Sequence, residues 1–273
     1  MKIALLQMTA GIDPAHNIEL LVKAVHQAAS NGAVMLFTPE MSGLLDSNRD
    51  RARPHILPER DHPVLGAVQA AARAAGLWVH LGSLALAGDG RNLNRGYVID
   101  PDGAITAHYD KLHLFDVDLP TGESWRESAA YQPGEGARLA QTPVGMLGLS
   151  ICYDVRFPAL YQALSAAGAD VLSVPAAFTV PTGEAHWHVL LRARAIENAC
   201  WVVAAAQYGT HEDGRKTYGH SLVIDPWGHV VLDMGQETGL GFAEMDPQSL
   251  PDVRARIPVL RHRRPIPPVE GGQ

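Results

Sequence analysis

The sequence has few cysteines and no long apolar run. Cys152 and Cys200 are the two cysteines among 273 residues, and no CxxC pair occurs. A disulfide framework and a zinc-ribbon site are therefore not expected. No segment approaches the roughly 20 apolar residues of a membrane-spanning helix, and the N-terminal MKIALLQMTAG lacks the cleavage pattern of a signal peptide. These absences predict a cytoplasmic protein that has no membrane partner.

The sequence also lacks an excess of positive charge. Its formal net charge is −7 and its pI is about 6.0. We interpret a local basic cluster near the C-terminus as a segment that docks on acidic surface, since a charge run is usually a solvated face. The cluster contains Arg254, Arg256, Arg261, Arg263 and Arg264. A nucleic-acid partner is therefore not expected.

Several catalytic and cofactor motifs are absent. The chain has no GxSxG, no GxxxxGKS/T and no GxGxxG, which disfavours serine hydrolases, P-loop proteins and dinucleotide-binding proteins. His186 and His188 are separated by one residue, so on a helix they point about 200° apart and cannot share a metal. The other histidines, such as His108, His113 and His220, show no ligand spacing. We expect neither a metal nor an organic cofactor.

Apolar stretches and helical patterns alternate along a chain that is 47% hydrophobic and 19% charged. Their periods distinguish helices from strands. The predicted helices are Pro14–Ser30, Pro63–Ala75, Pro158–Ala167 and Glu184–Ala199. The predicted strands are Ile3–Met8, Val34–Thr38, Leu77–Leu86, Tyr97–Ile99, Met146–Ile151, Val171–Val174, Trp201–Ala206, Ser221–Asp225, His229–Leu232 and Leu240–Met245.

Connections between these elements indicate the sheet type. Strands linked by helices favour parallel pairing, whereas the tight turns DPDG (Asp100–Gly103) and DPWG (Asp225–Gly228) favour antiparallel hairpins. The sequence therefore predicts an α/β protein with mixed sheets in layers. We expect a single domain over residues 1–273, with a loosely ordered tail from about residue 258 that includes Gly271 and Gly272.

Three polar residues of complementary chemistry follow predicted strands. Glu40 follows VMLFTP, Lys111 follows the strand-like ITAHY, and Cys152 closes MLGLSI. In open α/β sheets, ligands bind at the carboxyl ends of strands. A cysteine between a buried strand and a charged turn is expected to be half exposed and reactive. Taken singly, each residue has a plainer interpretation: a solvated loop glutamate, a surface lysine and a small buried thiol.

The chemistry gives a reason for the three to act together. A free thiol with a pKa of ~8.5 is mostly protonated at neutral pH, so a carboxylate such as Glu40 is needed as general base. An ammonium such as that of Lys111 stabilises a developing oxyanion. The backbone N–H of Tyr153, at the turn into the next helix, is placed to join it. Cys200, inside AIENACWVV, fits a structural role.

Three motifs resemble those of the nitrilase-like carbon–nitrogen hydrolases. They are FTPEM (Phe37–Met41), YDKLHLFDVDLP (Tyr109–Pro120) and GLSICYDVRFPAL (Gly148–Leu160). The order of glutamate, lysine and cysteine fits the family, and the resemblance extends from KIALLQMT to HRRP (His262–Pro265).

The resemblance implies a role for each matched residue. Glu40 is the expected general base, Lys111 the oxyanion stabiliser and Cys152 the nucleophile. A second glutamate of the family falls on Glu127, where it is expected to orient Lys111 and the substrate. The family further implies a four-layer αββα sandwich and a homodimer that forms through helices and the C-terminal tail.

Two further segments narrow the resemblance to a branch of the family. TGEAHWHVLLRARAIENACWVVAAAQ (Thr182–Gln207) and YGHSLVIDPWGHVV (Tyr218–Val231) resemble the deaminated glutathione amidases more than the omega-amidases. The implied reaction cleaves deaminated glutathione at its internal amide into 2-oxoglutarate and cysteinylglycine. The alternative is an omega-amidase that acts on 2-oxoglutaramate or a related 2-oxo-acid amide.

A substrate with carboxylates requires a local cation in this acidic chain. Arg156 is the candidate clamp, because its planar guanidinium binds a carboxylate bidentately. The alternative is that Arg156 pairs with Asp154 or with a helix end. Phe178 and Thr179 follow the strand VLSVPAA and are expected to line the substrate pocket.

Two rival functions belong to other classes. One is a non-catalytic interaction protein that retains the scaffold, which the intact set of Glu40, Lys111 and Cys152 argues against. The other is a redox sensor, since a lone thiol of low pKa can be oxidised. The sequence shows no resolving cysteine for such a sensor, although pairing in space stays open.

Overall fold

The computed structural model describes residues 1–118, 122, 124–268 and 271. Leu119 and Pro120, which end the motif around Lys111, lie outside the described residues, and so does Gly272 of the predicted tail.

Within the described residues, the strands form two six-stranded sheets and two hairpins. The first eight strands are β1 (Lys2–Gln7), β2 (Met35–Phe37), β3 (Trp78–Leu86), β4 (Leu93–Ile99), β5 (Ile105–Asp110), β6 (Asp116–Asp118), β7 (Ser124–Arg126) and β8 (Leu139–Thr142). The others are β9 (Gly145–Leu149), β10 (Val171–Ser173), β11 (Trp201–Ala204), β12 (Tyr208–Thr210), β13 (Lys216–Tyr218), β14 (Leu222–Ile224), β15 (Val230–Asp233) and β16 (Gly239–Glu244).

The two large sheets have matching architectures. The first has the order β16-β1-β2-β3-β4-β5 and the second β15-β14-β11-β10-β9-β8. In each, three central strands are parallel, β1, β2 and β3 in one and β9, β10 and β11 in the other. The outer strands pair antiparallel. The prediction of mixed sheets is confirmed, and the turns DPDG and DPWG join antiparallel pairs as expected.

Seven α-helices are found in the described part of the chain, together with four short 3-10 helices. They are α1 (Pro14–Ser30), α2 (Arg49–Ala52), α3 (Pro63–Ala75), α4 (Pro158–Ala166), α5 (Val180–Asn198), α6 (Ser249–Arg256) and α7 (Val259–His262). None of the described helices combines the length and the apolarity that crossing a bilayer requires.

The side chains of β1 reveal the layer order. Ile3 and Leu5 pack in a core that contains Leu147 of the second sheet, whereas Ala4 packs in a core with Leu21 of α1. Successive side chains of a strand point to opposite faces, so the first sheet has the second sheet on one face and α1 and α3 on the other. Helices α4 and α5 pack on the second sheet. The predicted four-layer αββα sandwich is confirmed.

The observed helix bounds match the predicted ones where the capping residue is adjacent to the helix in sequence. Helices α1 and α3 match their predicted bounds, because Asp13 caps the first and Gly76 ends the second at φ 61°. Helix α5 begins at Val180 rather than Glu184. The reason is a tertiary contact, since a Cβ at Gly183 would collide with the ring of Tyr218. Glycine there permits close packing and does not end the helix.

The segment after Ile257 makes specific contacts. It contains α7, and the guanidinium of Arg263 donates to the carbonyl of Gln162 at 2.9 Å and to Asn198 Oδ1 at 2.7 Å. Just before this segment, Arg254 of α6 forms an ion pair with Asp170 at 3.0 Å. The expectation of loose order from about residue 258 is therefore wrong for this part of the tail, because arginine side chains bind the ends of helices α4 and α5.

Gly82 of β3 lets the loop after β2 lie against the first sheet. A Cβ at this position would collide with the carbonyl oxygens of Thr38 and Pro39, and would lie 2.6 Å from Cβ of Pro175. The hydroxyl of Thr38 accepts a hydrogen bond from the Gly82 N–H at 3.0 Å. The position of Glu40 on this loop thus depends on the absence of a side chain at residue 82.

We predict that Gly82→Ala destabilises the protein by about 1–3 kcal/mol, since a methyl group forced into packed backbone acts as overpacking. The matched control is Gly66→Ala in α3, where a Cβ meets nothing within 4 Å. The control is expected to raise stability by about 0.5–1 kcal/mol through helix propensity. Urea unfolding measures both, and a Gly82→Ala protein as stable as the wild type would contradict the packing argument.

Candidate active site

Cys152 lies at the turn that follows β9. It is the first residue of a 3-10 helix over Cys152–Arg156, and its φ of 49° is unusual for a residue other than glycine. Its N–H donates to the carbonyl of Pro175 at 2.9 Å, which fixes the turn. The side chain is buried and 7% exposed, so the expectation of a half-exposed thiol is wrong. The first sheet, whose position the sequence does not give, covers it.

Glu40 comes from the opposite sheet, three residues after β2, and is almost fully buried. Its Oε1 accepts from Lys111 Nζ at 2.8 Å and from Asn94 Nδ2 at 2.9 Å. Its Oε2 accepts from the Ala177 N–H at 2.9 Å. The amide of Gln207 donates to the main-chain carbonyl of Glu40 at 3.0 Å. These donors hold one carboxylate orientation.

Lys111 directly follows β5 and is also buried. Its ammonium lies between two carboxylates, 2.8 Å from Glu40 Oε1 and 2.9 Å from Glu127 Oε2. Glu127 is held in turn by the Phe115 N–H at 2.7 Å and by Asn94 Nδ2 at 3.2 Å. One cation and two anions therefore form a compact group in which Asn94 bridges both carboxylates.

Burial and charge act in opposite directions on Glu40 and Lys111. Burial alone would raise the pKa of Glu40, but the Lys111 ammonium and hydrogen bonds from Lys111, Cys152 and Asn94 outweigh it and lower that pKa. Burial alone would lower the pKa of Lys111, but the carboxylates of Glu127 and Glu40 raise it well above its usual range. Both groups are therefore ionised at neutral pH.

The Cys152 thiol stays protonated in this site. Burial, the charge of Glu40 and a hydrogen bond to Glu40 raise the pKa of Cys152 well above its ordinary value, although Lys111 acts in the opposite direction. The sulfur thus lies beside an ionised carboxylate that can accept its proton.

Asp154 ties the Cys152 turn to the Lys111 segment. Its fully buried carboxylate accepts from the Tyr109 hydroxyl at 2.8 Å and from the Ile151 N–H at 2.9 Å. It also accepts from the His113 N–H at 3.0 Å. Because these donors flank both Lys111 and Cys152 in sequence, one carboxylate sets the relative position of two site residues.

The site opens into a cavity of about 880 Å³. Cys152, Glu40, Lys111 and Glu127 all line it. The wall also contains Tyr153, Phe178 and Thr179, as the sequence predicted for the last two, and it extends to Trp125, Tyr131 and Arg215.

Arg156 is not among the residues of that wall. Its guanidinium lies 5.9 Å from the ring of Tyr153 and 5.3 Å from that of Phe178, and Nη1 is 3.2 Å from Nδ1 of His186. The structure brings it neither to the cavity nor to Asp154, whose carboxylate is taken by other donors. Stacking on two aromatic rings holds Arg156 behind Phe178 and Tyr153.

Sequence reasoning missed several polar residues around the cavity. Asn94 contacts both carboxylates, yet nothing in NLNRG marks it, since the contact depends on the pairing of β3 with β4. Arg215 stacks on Trp125, with the guanidinium carbon 4.5 Å from the ring centre. They are about 90 residues apart in the chain, a separation that hides the pair from any local motif.

One cluster could accept a metal outside this cavity. Ligand atoms of His188, His220 and Asp233 lie within 4.8 Å of one another. The carboxylate of Asp233 is 3.0 Å from His188 Nε2 and 2.9 Å from His220 Nδ1, so hydrogen bonds already satisfy the group. No ligand spacing marks this cluster in the sequence, because the three residues come from α5, from the segment before β14 and from β15.

Comparison with known proteins agrees with this geometry. Residues 2–255 match the family described as carbon-nitrogen hydrolase. The deaminated glutathione amidase of Yersinia enterocolitica is 41% identical over 267 residues, which cover 96% of this chain and 93% of that protein.

Solved structures agree as well. The Caenorhabditis elegans NitFhit protein superposes with a TM-score of 0.89 at 40% identity, covering 96% of this chain and 65% of that one. An amidase from Nesterenkonia sp. AN1, in a structure that shows Michael addition of acrylamide at its active-site cysteine, gives a TM-score of 0.79 at 30% identity, covering 94% of this chain and 98% of that one. This chain therefore belongs to the carbon-nitrogen hydrolase family.

Proposed function

We propose that Cys152, Glu40 and Lys111 hydrolyse a linear amide through a thioester on the cysteine. One observation carries the proposal: a protonated thiol, an ionised carboxylate and a buried ammonium meet in the wall of one cavity. The amidase from Nesterenkonia, whose active-site cysteine reacts with acrylamide, supports a cysteine nucleophile.

The first half-reaction forms the thioester. Cys152 Sγ attacks the amide carbon while Glu40 takes the thiol proton. General-base catalysis is favoured over a preformed thiolate, because the pKa of Cys152 is raised and that of Glu40 is lowered. Glu40 then gives the proton to the amide nitrogen, the C–N bond breaks, and the amine leaves.

The tetrahedral oxyanion requires donors that are fixed before the reaction. Lys111 Nζ supplies one, and Glu127 acts as a positioning residue that holds this ammonium at 2.9 Å. The N–H of Tyr153 is the second donor, because the first N–H groups of a helical turn have no acceptor within it.

The second half-reaction returns the enzyme to its starting state. Glu40 takes a proton from a water molecule that attacks the thioester carbonyl. The C–S bond breaks, the carboxylic acid leaves, and the proton on Glu40 goes back to the Cys152 sulfur. The net reaction is amide plus water to acid plus amine, and no step requires a metal or an organic cofactor.

The proposed substrate is deaminated glutathione, cleaved to 2-oxoglutarate and cysteinylglycine. Identity of 41% to the deaminated glutathione amidase of Yersinia enterocolitica supports this choice. A cavity of about 880 Å³ is also large enough for an elongated, peptide-like amide. The alternative is an omega-amidase that acts on 2-oxoglutaramate, which has the same acyl part and releases ammonia.

The rival classes fit the site less well. A redox sensor needs a thiol of low pKa, whereas the pKa of Cys152 is raised. An interaction protein has no need for an ammonium buried between two carboxylates, since such a group is costly to desolvate.

We infer that the chain is a single catalytic domain with a C-terminal tail from about residue 258, and that it forms a homodimer. Helix α5 supports the dimer, because Val189 is 69% exposed and Ile196 is 49% exposed on it. Exposed apolar groups on one helix favour a protein interface. A reducing cytoplasmic location is in keeping with the free state of Cys152 and Cys200.

A substrate panel tests the proposed reaction. We expect the wild type to release cysteinylglycine from deaminated glutathione faster than ammonia from 2-oxoglutaramate, as measured by product mass analysis. Cys152→Ala should abolish both reactions, and Cys152→Ser should leave very little. Cys200→Ala is the matched control and should keep wild-type turnover, since Cys200 does not line the cavity. Full activity in Cys152→Ala would remove the hypothesis.

The pH dependence of alkylation tests the general-base role of Glu40. In the wild type, iodoacetamide should label Cys152 slowly until alkaline pH, because the pKa of the thiol is raised. Glu40→Gln removes the negative charge and leaves Lys111, so the pKa of the thiol should fall. Labelling near pH 8 should then rise about tenfold for each unit of that fall, while turnover drops.

Cys200 is the internal control for alkylation, since it is fully buried and burial raises its pKa to about 11. Mass mapping should show it slowly labelled in both proteins. A labelling rate of Cys152 that is already maximal at neutral pH, and unchanged in Glu40→Gln, would instead indicate a preformed thiolate.

The dimer is tested by placing a charge on α5. Val189→Glu should convert the protein to a monomer in sedimentation equilibrium, because a carboxylate would be buried in the interface. Val34→Glu is the control, since Val34 is also exposed but precedes β2 in the opposite half of the sandwich. A wild-type monomer, or a Val189→Glu dimer as stable as the wild type, would refute this interface.

A further inference from the structure

We propose that Arg215 and Trp125 form a carboxylate-binding site in the wall of the catalytic cavity. The inference rests on the proposed amidase function and deepens it, because it assigns the recognition of a substrate carboxylate to two residues outside the family motifs. Both residues line the cavity that contains Cys152.

Two buried donors without acceptors lie side by side in this wall. Among the residues that the structure describes, neither Arg215 Nε nor Trp125 Nε1 has a hydrogen-bond partner. The guanidinium of Arg215 lies 4.5 Å from the centre of the Trp125 ring. Buried N–H groups in proteins are almost always paired, so two exceptions on neighbouring residues that line a cavity point to an acceptor supplied by a ligand.

The charge of Arg215 is only loosely compensated. Its nearest carboxylate, that of Asp213, is 3.8 Å from Nη2. Asp213 is itself engaged by backbone donors, namely the N–H of Ser47 at 2.8 Å and the N–H of Arg215 at 2.9 Å. A positive guanidinium in the cavity wall is therefore available to a second anion.

Four other arginines of the described chain line the cavity, namely Arg49, Arg53, Arg91 and Arg126, and all four are exposed, so water and salt screen their charges more than that of the partly buried Arg215. Arg53 donates to Asp50 at 2.7 Å, and Arg126 donates to both oxygens of Asp118 at 2.8 Å. Both pairs are largely exposed. Their charges are already matched by carboxylates of the chain, so they are poorer sites for a substrate carboxylate.

The chemistry of Arg215 and Trp125 fits a carboxylate better than another anion or a neutral group. A planar guanidinium binds the two oxygens of a carboxylate side by side. Stacking on the indole ring fixes the plane of the guanidinium before binding. The indole N–H of Trp125 adds a further donor in the same wall, and a charged carboxylate accepts a stronger hydrogen bond from it than a neutral amide does.

This assignment replaces Arg156, which lies behind the cavity wall. In the proposed substrate the carboxylate has two sources: the 2-oxo-acid end of the acyl part, and the terminal glycine of the leaving part. The shared chemistry is a carboxylate on a linear amide, and the experiment separates the two ends.

The test measures the hydrolysis of acidic and neutral substrates by the wild type and by Arg215→Met. This substitution keeps the aliphatic part of the side chain and removes the guanidinium. Four amides are used: the parent with both carboxylates, one neutralised as a primary amide at the acyl end, one neutralised at the glycine end, and one neutralised at both ends. We expect Arg215→Met to lower kcat/KM about 10–100-fold for the parent, mostly through KM. For the doubly neutral amide, Arg215→Met should change kcat/KM less than threefold.

The singly neutral amides identify the end that binds. The end that Arg215 contacts is the one whose neutralisation lowers wild-type kcat/KM and removes the effect of Arg215→Met. Trp125→Phe keeps the ring and removes the N–H, and should lower kcat/KM several-fold for the same substrates. Arg53→Met is the matched control in the cavity wall, and its kcat/KM for each amide should stay within about twofold of the wild type.

Two outcomes would overturn the inference. If Arg215→Met lowers kcat/KM equally for the acidic and the doubly neutral amides, Arg215 has a structural role in the cavity wall and does not bind the carboxylate. No loss on any substrate would mean that another group binds the carboxylate.

A binding measurement keeps this inference distinct from the proposed reaction. Calorimetry of the parent amide on Cys152→Ala and on Cys152→Ala/Arg215→Met should show a Kd weaker by about 10–100-fold in the second protein. If the wild type hydrolyses none of the amides, the proposed function fails, while the calorimetric difference still decides the role of Arg215. Equal Kd values would refute the carboxylate site whatever the turnover.

Discussion

The buried ammonium of Lys111 holds this site together. It lies between the carboxylates of Glu40 and Glu127 at 2.8 and 2.9 Å, away from bulk water. Removing one partner of such a buried group typically costs about 3–5 kcal/mol, because the remaining charge is left without compensation. Loss of any one of the three side chains is therefore expected to destabilise the other two.

The same electrostatics set the chemistry of Cys152. Burial and the carboxylate that Lys111 keeps ionised together raise the pKa of the thiol. A thiol that stays protonated at rest is less readily oxidised than a thiolate, and in the proposed mechanism Cys152 loses its proton only while it attacks a carbonyl. We propose that the thiol is activated by a base fixed beside the sulfur and not by a low pKa of its own. Lys111 and the Tyr153 N–H are the proposed oxyanion donors.

Local rules predicted much of the framework because their causes are local. Helices α1 and α3 end where their caps and glycine require, and the turns DPDG and DPWG form hairpins. Glu40, Lys111 and Cys152 follow strands, and strand ends of an α/β sheet converge. The predictions for the start of α5 and for the first part of the tail were wrong. The ring of Tyr218 on Gly183 and the bond from Arg263 to Asn198 are contacts between distant segments, which local patterns do not show.

By itself, the sequence determined which chemical groups the protein possesses and at which strand ends they stand, because periodicity and motifs are properties of neighbouring residues. Only the tertiary structure decided which of these groups share a cavity. Packing of one sheet on the other buried Cys152, and two aromatic rings hold Arg156 away from the cavity. Pairing of β3 with β4 brought Asn94 to the two carboxylates, and the approach of the two hairpins brought Arg215 to Trp125. Such contacts join segments that are distant in the chain, and no short stretch of sequence encodes them.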